Sequence, residues 1–221
     1  MVFRDQQTYN PSPSQVAPVD GDHGPRDVGL VFIGDSFVAG YGDPKGLGWV
    51  SRVVSRTQHP DVQLSAYNLG IRGDSSADVL ARWRTECPPR WRGRGERRLV
   101  ISAGHHDVLS GITTARSRLN LANILDDAQA QGIAAFVVGS TPTNDPTFNA
   151  TLEIVTEAQA DVCARRGVPF VDCFRPLQGH DQWTADLAAT GDGFHPGQAG
   201  YGLIAWLVLH GGWDAWMRLA R

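Results

Sequence analysis

The chain has 221 residues, of which 42% are hydrophobic and 19% are charged, and its formal net charge is −3 at neutral pH. This size and composition fit one domain with a substantial core, and the near-neutral charge argues against attraction to nucleic acid or to an anionic membrane. The longest apolar stretches, such as residues 203–209, fall well short of the roughly 20 residues that a membrane-spanning helix needs.

The first segment, residues 1–27, is polar, contains four prolines and lacks the apolar run of a secretory signal. We expect a flexible leader there and one domain at residues 28–221, because no repeat or linker follows. The three cysteines cannot all pair within the chain and do not have the spacing of a zinc site. Their number and spacing indicate lone thiols in the core and no metal site. Lone thiols are typical of a reducing compartment, so we expect a cytoplasmic protein.

Short apolar runs alternate with longer segments of helical period, which is the pattern of a parallel sheet covered by helices. The predicted strands are residues 29–33, 62–69, 98–102, 133–138 and 168–171. The predicted helices are residues 48–57, 76–86, 113–131, 148–166 and 197–210, with a break at Gly211-Gly212 before a last stretch at 213–219. The sequence therefore predicts a doubly wound α/β fold.

Polar clusters follow four of these strands. They are Gly34-Asp35-Ser36, Asn68-Leu69-Gly70, residues 103–107 and residues 139–142. In open sheets of this kind ligands bind beyond the carboxyl ends of the strands, where the strand order reverses. The four clusters are therefore expected to form one site at one edge of the sheet.

A serine, an aspartate and a histidine are expected at this edge of the sheet, and together these residue types can carry out nucleophilic acyl transfer. Ser36 directly follows the first strand, but a serine hydroxyl needs a base to take its proton as it attacks. His195 titrates near neutrality and can take and return that proton, while Asp192, three residues earlier, can orient the ring. We predict Ser36 as nucleophile, His195 as base and then acid, and Asp192 as the orienting carboxylate.

The tripeptide Gly-Asp-Ser occurs a second time, ending at Ser75. Ser75 is separated from its strand by a turn and stands where the next helix needs an N-terminal cap. Ser36 follows its strand without a gap, so Ser36 is the predicted nucleophile.

Attack on a carbonyl creates an oxyanion, which rigid amide donors stabilise. The backbone N–H groups of Ser36 and Gly70 are candidate donors, and His105 and His106 offer side-chain donors from the third strand end. Further side chains at this edge are candidate substrate contacts: Phe37, Thr141 and Phe194.

Three blocks of the sequence resemble those of the GDSL or SGNH hydrolases, a family of serine esterases and acylhydrolases. Gly34-Asp35-Ser36 resembles the first block, residues 68–73 the second and residues 192–196 the last. The resemblance extends from about Leu30 to Trp206. Within it, residues 34–40 and 46–49 are similar to those of small intracellular bacterial members of the family. It implies a flavodoxin-like three-layer α/β/α sandwich with a five-stranded parallel sheet in the order 2-1-3-4-5, no metal or organic cofactor, and a small-molecule ester substrate.

The third block departs from the family pattern Gly-x-Asn-Asp. The chain reads Gly104-His105-His106-Asp107, so His106 stands where the family has the asparagine that donates to the oxyanion. An imidazole can also donate one N–H, which keeps His106 as a candidate oxyanion donor. Loss of one such donor typically reduces the rate by about 10²–10³.

Two other functions remain open on the sequence. One is a catalytically diverged ligand-binding module on the same fold, marked by the histidine substitution. The other is nucleic-acid binding by the arginine-rich segment 82–98, which also carries Trp83 and Trp91. The near-neutral overall charge favours a solvated helix end for that segment. The α/β-hydrolase fold is disfavoured, because its nucleophile elbow Gly-x-Ser-x-Gly is absent around both Ser36 and Ser75.

Overall fold

The computed structural model describes residues 24–219 and is built on a five-stranded sheet in which all paired strands are parallel. The strands are β1 (Arg26–Gly34), β2 (Val62–Gly70), β3 (Glu96–Ser102), β4 (Ala134–Val138) and β5 (Phe170–Val171). Their spatial order is β2-β1-β3-β4-β5, which confirms the predicted topology. The strand order therefore reverses between β1 and β3.

Ten α-helices connect and follow the strands in the described part of the chain. They are α1 (Ser36–Ala39), α2 (Gly48–Arg56), α3 (Ser76–Glu86), α4 (His105–Leu109), α5 (Thr114–Ala130), α6 (Pro146–Ala164), α7 (Phe174–Leu177), α8 (Asp181–Thr190), α9 (Gln198–Val208) and α10 (Asp214–Met217). A 3₁₀ turn at Pro88–Trp91 and a π-helical turn at Leu209–Trp213 complete the helical segments. The predicted break before the C-terminal helix is confirmed, because Gly212 takes a left-handed conformation with φ of 92°.

The core consists of two apolar clusters, one on each face of the sheet. Along β1, Leu30 and Phe32 point to one face, where they pack with side chains of α2 and α9. Val31 and Ile33 point to the other face, beneath α3, α5 and α6. This alternation follows from the two-residue period of a strand, and it produces the expected three-layer sandwich.

The carboxyl ends of β1 and of its two neighbours, β2 and β3, lie level with one another. Gly34 pairs in register with both Gly70 of β2 and Ser102 of β3. A Cβ added at Gly34 would lie 1.8 Å from the Ser102 carbonyl oxygen, so only glycine fits there. The close approach fixes the point at which the chain leaves β1 and enters α1.

Some boundaries differ from the sequence predictions. The predicted leader lies mostly outside the described residues, but Arg26 and Asp27 belong to β1, where they form ion pairs with Glu96 and Arg94. The short helices α1, α4 and α7, and also α8, were not predicted. Cys87, Cys163 and Cys173 are free and buried, which confirms that they are lone core thiols.

The arginine-rich segment serves the fold. Its ion pairs are Arg82 with Asp74 and Glu86, Arg84 with Asp127, Arg94 with Asp27, and Arg98 with Glu96. Trp83 and Trp91 are buried and are not available to stack on a base. These contacts favour the structural interpretation of the segment over nucleic-acid binding.

Between residues 24 and 219, no helix combines the length and the apolar character that spanning a membrane requires.

Candidate active site

The turn from β1 into α1 places Ser36 at the carboxyl edge of the sheet. Asp35 is the N-cap of α1, and its Oδ1 accepts a hydrogen bond from the Phe37 amide at 2.9 Å. Ser36 is thereby the first residue of the helix, where backbone N–H groups have no partner within the helix.

Ser36, His195 and Asp192 form one chain of hydrogen bonds. The Ser36 hydroxyl donates to His195 Nε2 at 2.8 Å. The other ring nitrogen, Nδ1, lies 2.7 Å from Asp192 Oδ2 and donates to it, because a carboxylate can only accept. The predicted nucleophile, base and orienting carboxylate are therefore in contact in the order that acyl transfer requires.

Asp192 also holds the loop that carries the histidine. Its Oδ1 accepts hydrogen bonds from the backbone amides of Phe194 at 2.9 Å and His195 at 2.8 Å. The carboxylate thus uses one oxygen for the loop and the other for the ring. Gly42 packs closely against this loop, because a Cβ there would lie 3.0 Å from the Pro196 carbonyl oxygen and 3.2 Å from His195 Cβ.

The two titratable partners have shifted pKa values. Burial lowers the pKa of His195 below its ordinary value, and this effect outweighs the hydrogen bond and the negative charge of Asp192, which raise it. For Asp192, partial burial disfavours the charged form, but hydrogen bonds from the His195 ring and from the loop amides lower its pKa overall. At neutral pH the site therefore holds a neutral imidazole beside an ionised carboxylate, the state in which the imidazole can accept a proton.

Ser75, the serine of the repeated tripeptide, has the capping role that its sequence context indicates. It is the N-cap of α3, and its hydroxyl and its amide both donate to Asp78 Oδ2, at 2.6 and 2.9 Å. The Ser75 hydroxyl is bonded to this carboxylate, whereas the Ser36 hydroxyl is bonded to an imidazole.

Arg82 is a positioning residue that the sequence analysis did not identify. Its guanidinium donates to the carbonyls of Gly34 at 3.0 Å and Leu69 at 2.8 Å, and it pairs with Asp74 at 2.6 Å. It therefore ties together the ends of β1 and β2 at Gly34, two residues before Ser36. Its place in an arginine-rich run concealed this role, since nothing in the sequence distinguishes it from its neighbours.

The three candidate oxyanion donors differ in their present partners. The Ser36 amide begins α1 and has no acceptor within that helix. The Gly70 amide donates to Asn68 Oδ1 at 2.9 Å, so it must exchange this acceptor before it can serve an oxyanion. The His106 ring is partly exposed and borders Gly73, where a Cβ would lie 4.0 Å from His106 Cε1.

The adjacent histidine, His105, is committed to the interior. Its Nε2 donates to the Thr141 carbonyl at 2.8 Å, and its ring stacks on Phe37 with the ring centres 4.0 Å apart. Of the two histidines of the third block, His106 is therefore the one with an unengaged ring at the surface of the described structure.

Of the candidate substrate contacts, Phe37 and Phe194 pack against the His195 ring, whereas the Thr141 carbonyl meets His105, and the three differ in accessibility. Phe37 and Thr141 are buried. Phe194 is partly exposed, and the centre of its ring lies 5.2 Å from that of His195. Phe194 is thus the one of the three that presents surface to solvent.

The predicted nucleophile is enclosed, because Ser36 has no exposed surface and His195 is only 7% exposed. The ring of Tyr41, which is 40% exposed, meets the His195 ring edge to face at 4.8 Å, and Arg72 lies 3.8 Å above the Tyr41 ring. A substrate must therefore displace a side chain near His195 to reach the Ser36 hydroxyl.

The residues between Gly24 and Leu219 include no group of three or more His, Cys, Asp or Glu side chains arranged to hold a metal ion.

A serine, histidine and aspartate in series at the carboxyl edge of a parallel sheet characterise hydrolases that act through a serine. The chain matches the GDSL-like lipase/acylhydrolase family over residues 32–203. It belongs to that family and is a carboxylic ester hydrolase, which confirms the resemblance seen in the sequence.

Comparison with individual proteins agrees with this assignment. The chain is 28% identical over 172 residues to Esterase TesA of Pseudomonas aeruginosa, covering 77% of this chain and 80% of that protein. The crystal structure of TesA superposes with a TM-score of 0.65 and 26% identity, covering 83% of this chain and 97% of the other. The acetylxylan esterase Axe2 from Geobacillus stearothermophilus shares the fold with a TM-score of 0.69 and 19% identity, over 85% of this chain and 94% of the other.

Proposed function

We propose that this protein hydrolyses small carboxylic esters through an acyl-enzyme formed on Ser36. The observation that carries the proposal is the unbroken series of hydrogen bonds from the Ser36 hydroxyl through the His195 ring to the Asp192 carboxylate. The lowered pKa of the ring supports it, because a neutral imidazole is the form that accepts a proton.

In the first half of the reaction, His195 Nε2 takes the proton of the Ser36 hydroxyl as Oγ forms a bond to the ester carbonyl carbon. The carbonyl oxygen gains the negative charge and lies among the proposed donors, which are the amides of Ser36 and Gly70 and the ring of His106. The bond to the alcohol oxygen then breaks, and His195 gives its proton to that oxygen. The products are a free alcohol and an acyl group on Ser36.

In the second half, water replaces the alcohol. His195 takes a proton from the attacking water, the tetrahedral intermediate collapses, and the proton returns to Ser36 Oγ as the carboxylic acid leaves. Asp192 keeps the ring in the tautomer that has Nε2 free to accept. No atom or electron has to be supplied beyond ester and water.

The test is hydrolysis of p-nitrophenyl acetate by the purified protein and by two matched serine variants. We expect turnover by the wild type, loss of turnover in Ser36→Ala, and retained turnover in Ser75→Ala, whose serine caps a helix. A binding module on the same fold is the alternative, and it predicts ligand retention without turnover in all three proteins. Turnover that survives Ser36→Ala would contradict the proposal.

A further inference from the structure

Arg72 is an exposed cation in the turn after β2, and its guanidinium has an aromatic ring as its partner. The central carbon of the guanidinium lies 3.8 Å from the centre of the Tyr41 ring. In the described part of the chain, no carboxylate or carbonyl oxygen accepts a hydrogen bond from this side chain. The N–H donors of an arginine form a planar fork that matches a carboxylate, so the Arg72 side chain is available to bind one.

Tyr41 holds this guanidinium close to His195. The Tyr41 ring meets the His195 ring edge to face, with the ring centres 4.8 Å apart. The backbone of Tyr41 is fixed on both sides, because its amide donates to the Ser36 carbonyl at 3.0 Å and its carbonyl accepts from the buried Tyr201 hydroxyl at 2.6 Å. The ring that supports Arg72 therefore projects from an anchored segment of chain.

The backbone of Arg72 is held at the same edge of the sheet. The amide of Ile71 donates to the Gly34 carbonyl at 2.9 Å, and Gly70 carries one of the candidate oxyanion donors. Arg72 is thus tied to the surroundings of Ser36 twice, through the main chain after β2 and through its side chain on Tyr41. Because one aromatic ring separates the guanidinium from the His195 imidazole, a single small molecule can contact both.

The acidic side chains closest in sequence and in the site are engaged with other partners. Asp74, two residues after Arg72, pairs with Arg82 at 2.6 Å. Asp192 is bonded to the ring of His195 at 2.7 Å. These pairs leave the charge of Arg72 to attract an anionic group of a ligand, and a guanidinium binds a carboxylate with two charge-assisted hydrogen bonds.

We propose that Arg72 is a specificity-determining residue that binds a carboxylate of the substrate, so that the protein prefers negatively charged esters over neutral and cationic ones. The inference rests on the proposed function, because it concerns the substrates of the same Ser36 site. Tyr41 keeps the guanidinium in place while its N–H groups donate to the carboxylate. The carboxylate belongs either to the acyl half or to the alcohol half of the ester, and the experiment distinguishes the two.

The test compares charged and neutral members of two ester series. In the alcohol series, the substrates are the acetates of 3-hydroxybenzoate, 3-hydroxybenzamide and 3-hydroxyphenyltrimethylammonium. In the acyl series, they are the mono-p-nitrophenyl ester of adipic acid and the p-nitrophenyl ester of its monoamide. The kcat/KM of each is measured for wild type, for Arg72→Gln, and for Arg92→Gln, a matched control at an exposed arginine in the loop before β3.

Within a series, the ratio of kcat/KM for the carboxylate ester to kcat/KM for its neutral amide reports the selectivity. We expect Arg72→Gln to lower this ratio about tenfold in the series whose carboxylate meets Arg72, mainly through KM. The ratio of the trimethylammonium ester to the benzamide ester should rise. Arg92→Gln should give the wild-type ratios.

Salt provides a second measurement that a structural role of Arg72 would not affect. Raising sodium chloride from about 20 mM to about 500 mM should lower the wild-type selectivity ratio, because salt screens an exposed ion pair. The ratio for Arg72→Gln should not depend on salt.

A selectivity ratio that Arg72→Gln leaves the same in both series would overturn the proposal, because a guanidinium that only packs on Tyr41 affects charged and neutral esters alike. It would also be overturned if the wild type favoured the trimethylammonium ester after each kcat/KM is divided by the rate of alkaline hydrolysis of that ester. Turnover of p-nitrophenyl acetate that depends on Ser36 keeps the proposed function intact in both cases. Absence of that turnover would remove the proposed function, and the role of Arg72 with it.

Discussion

Replacing Asp192 by asparagine tests the proposed catalytic relay with little change in shape. The asparagine oxygen can still accept from the amides of Phe194 and His195, which lie 2.9 and 2.8 Å from Oδ1. Its NH₂ group then faces His195 Nδ1, in the place of the Oδ2 atom that lies 2.7 Å away. Two donors cannot face each other, so the ring moves its proton to Nε2 and can no longer accept from Ser36.

We expect this change of tautomer to lower kcat by about 10⁴, or about 5 kcal/mol of transition-state stabilisation. The midpoint of thermal unfolding should stay within a few degrees of wild type, because the loop hydrogen bonds are kept. The assay is ester hydrolysis at pH 8 combined with a thermal melt. Asp181→Asn, a substitution at an exposed carboxylate on α8, is the control and should retain full activity.

The argument would be refuted if Asp192→Asn had the wild-type midpoint of thermal unfolding and kept more than about a tenth of the wild-type kcat. It would mean that Asp192 does not determine which ring nitrogen carries the proton.

The same geometry leads to three other predictions. Because burial lowers the pKa of His195, kcat/KM should fall with decreasing pH only below the ordinary imidazole value of about 6.5, and a fall centred above 7 would contradict this. If the His106 ring donates to the oxyanion, His106→Ala should lower kcat by about 10²–10³, and an unchanged kcat would exclude that donation. Gly34→Ala places a Cβ 1.8 Å from the Ser102 carbonyl oxygen and should lower the free energy of unfolding by about 3–5 kcal/mol in urea titrations. Gly202→Ala, with no atom within 4 Å, should have no such effect.

The sequence predicted the sheet and the grouping of Ser36, His195 and Asp192 because both leave local signals. The apolar run before Ser36 is a buried strand, and the polar clusters after four strands meet at one edge, as parallel pairing requires. The Asp192 to His195 spacing is short enough for one turn to bring the carboxylate to the ring. The strand, the polar clusters and the Asp192–His195 turn each depend on residues that are close in the sequence, so hydrophobic periodicity and turn residues reveal them.

The missed elements lack such signals. The helix α1 has four residues, too few to show a helical period, and it forms because Asp35 caps it. The ten-residue helix α8 buries only Trp183 and Leu187, so its apolar pattern is weak. Its omission hid Asp186, whose Oδ2 accepts a hydrogen bond from the Gly200 amide at 2.8 Å.

Contacts between distant segments were equally inaccessible. The guanidinium of Arg82 reaches the ends of two strands, and nothing local distinguishes it from the arginines around it. The sequence also does not show which histidine of the third block turns inward. Packing decides this, since His105 stacks on Phe37 while His106 stays at the surface.

The most direct test of the central claim is covalent labelling of the intact protein by a fluorophosphonate, with the modified residue located by mass spectrometry. The account predicts one label on Ser36, its absence in Ser36→Ala, and its retention in Ser75→Ala. It also predicts much slower labelling in Asp192→Asn, because the base can no longer take the serine proton. A label on another serine, or an unlabelled Ser36 in a protein that hydrolyses esters, would contradict the claim that Ser36 is the nucleophile.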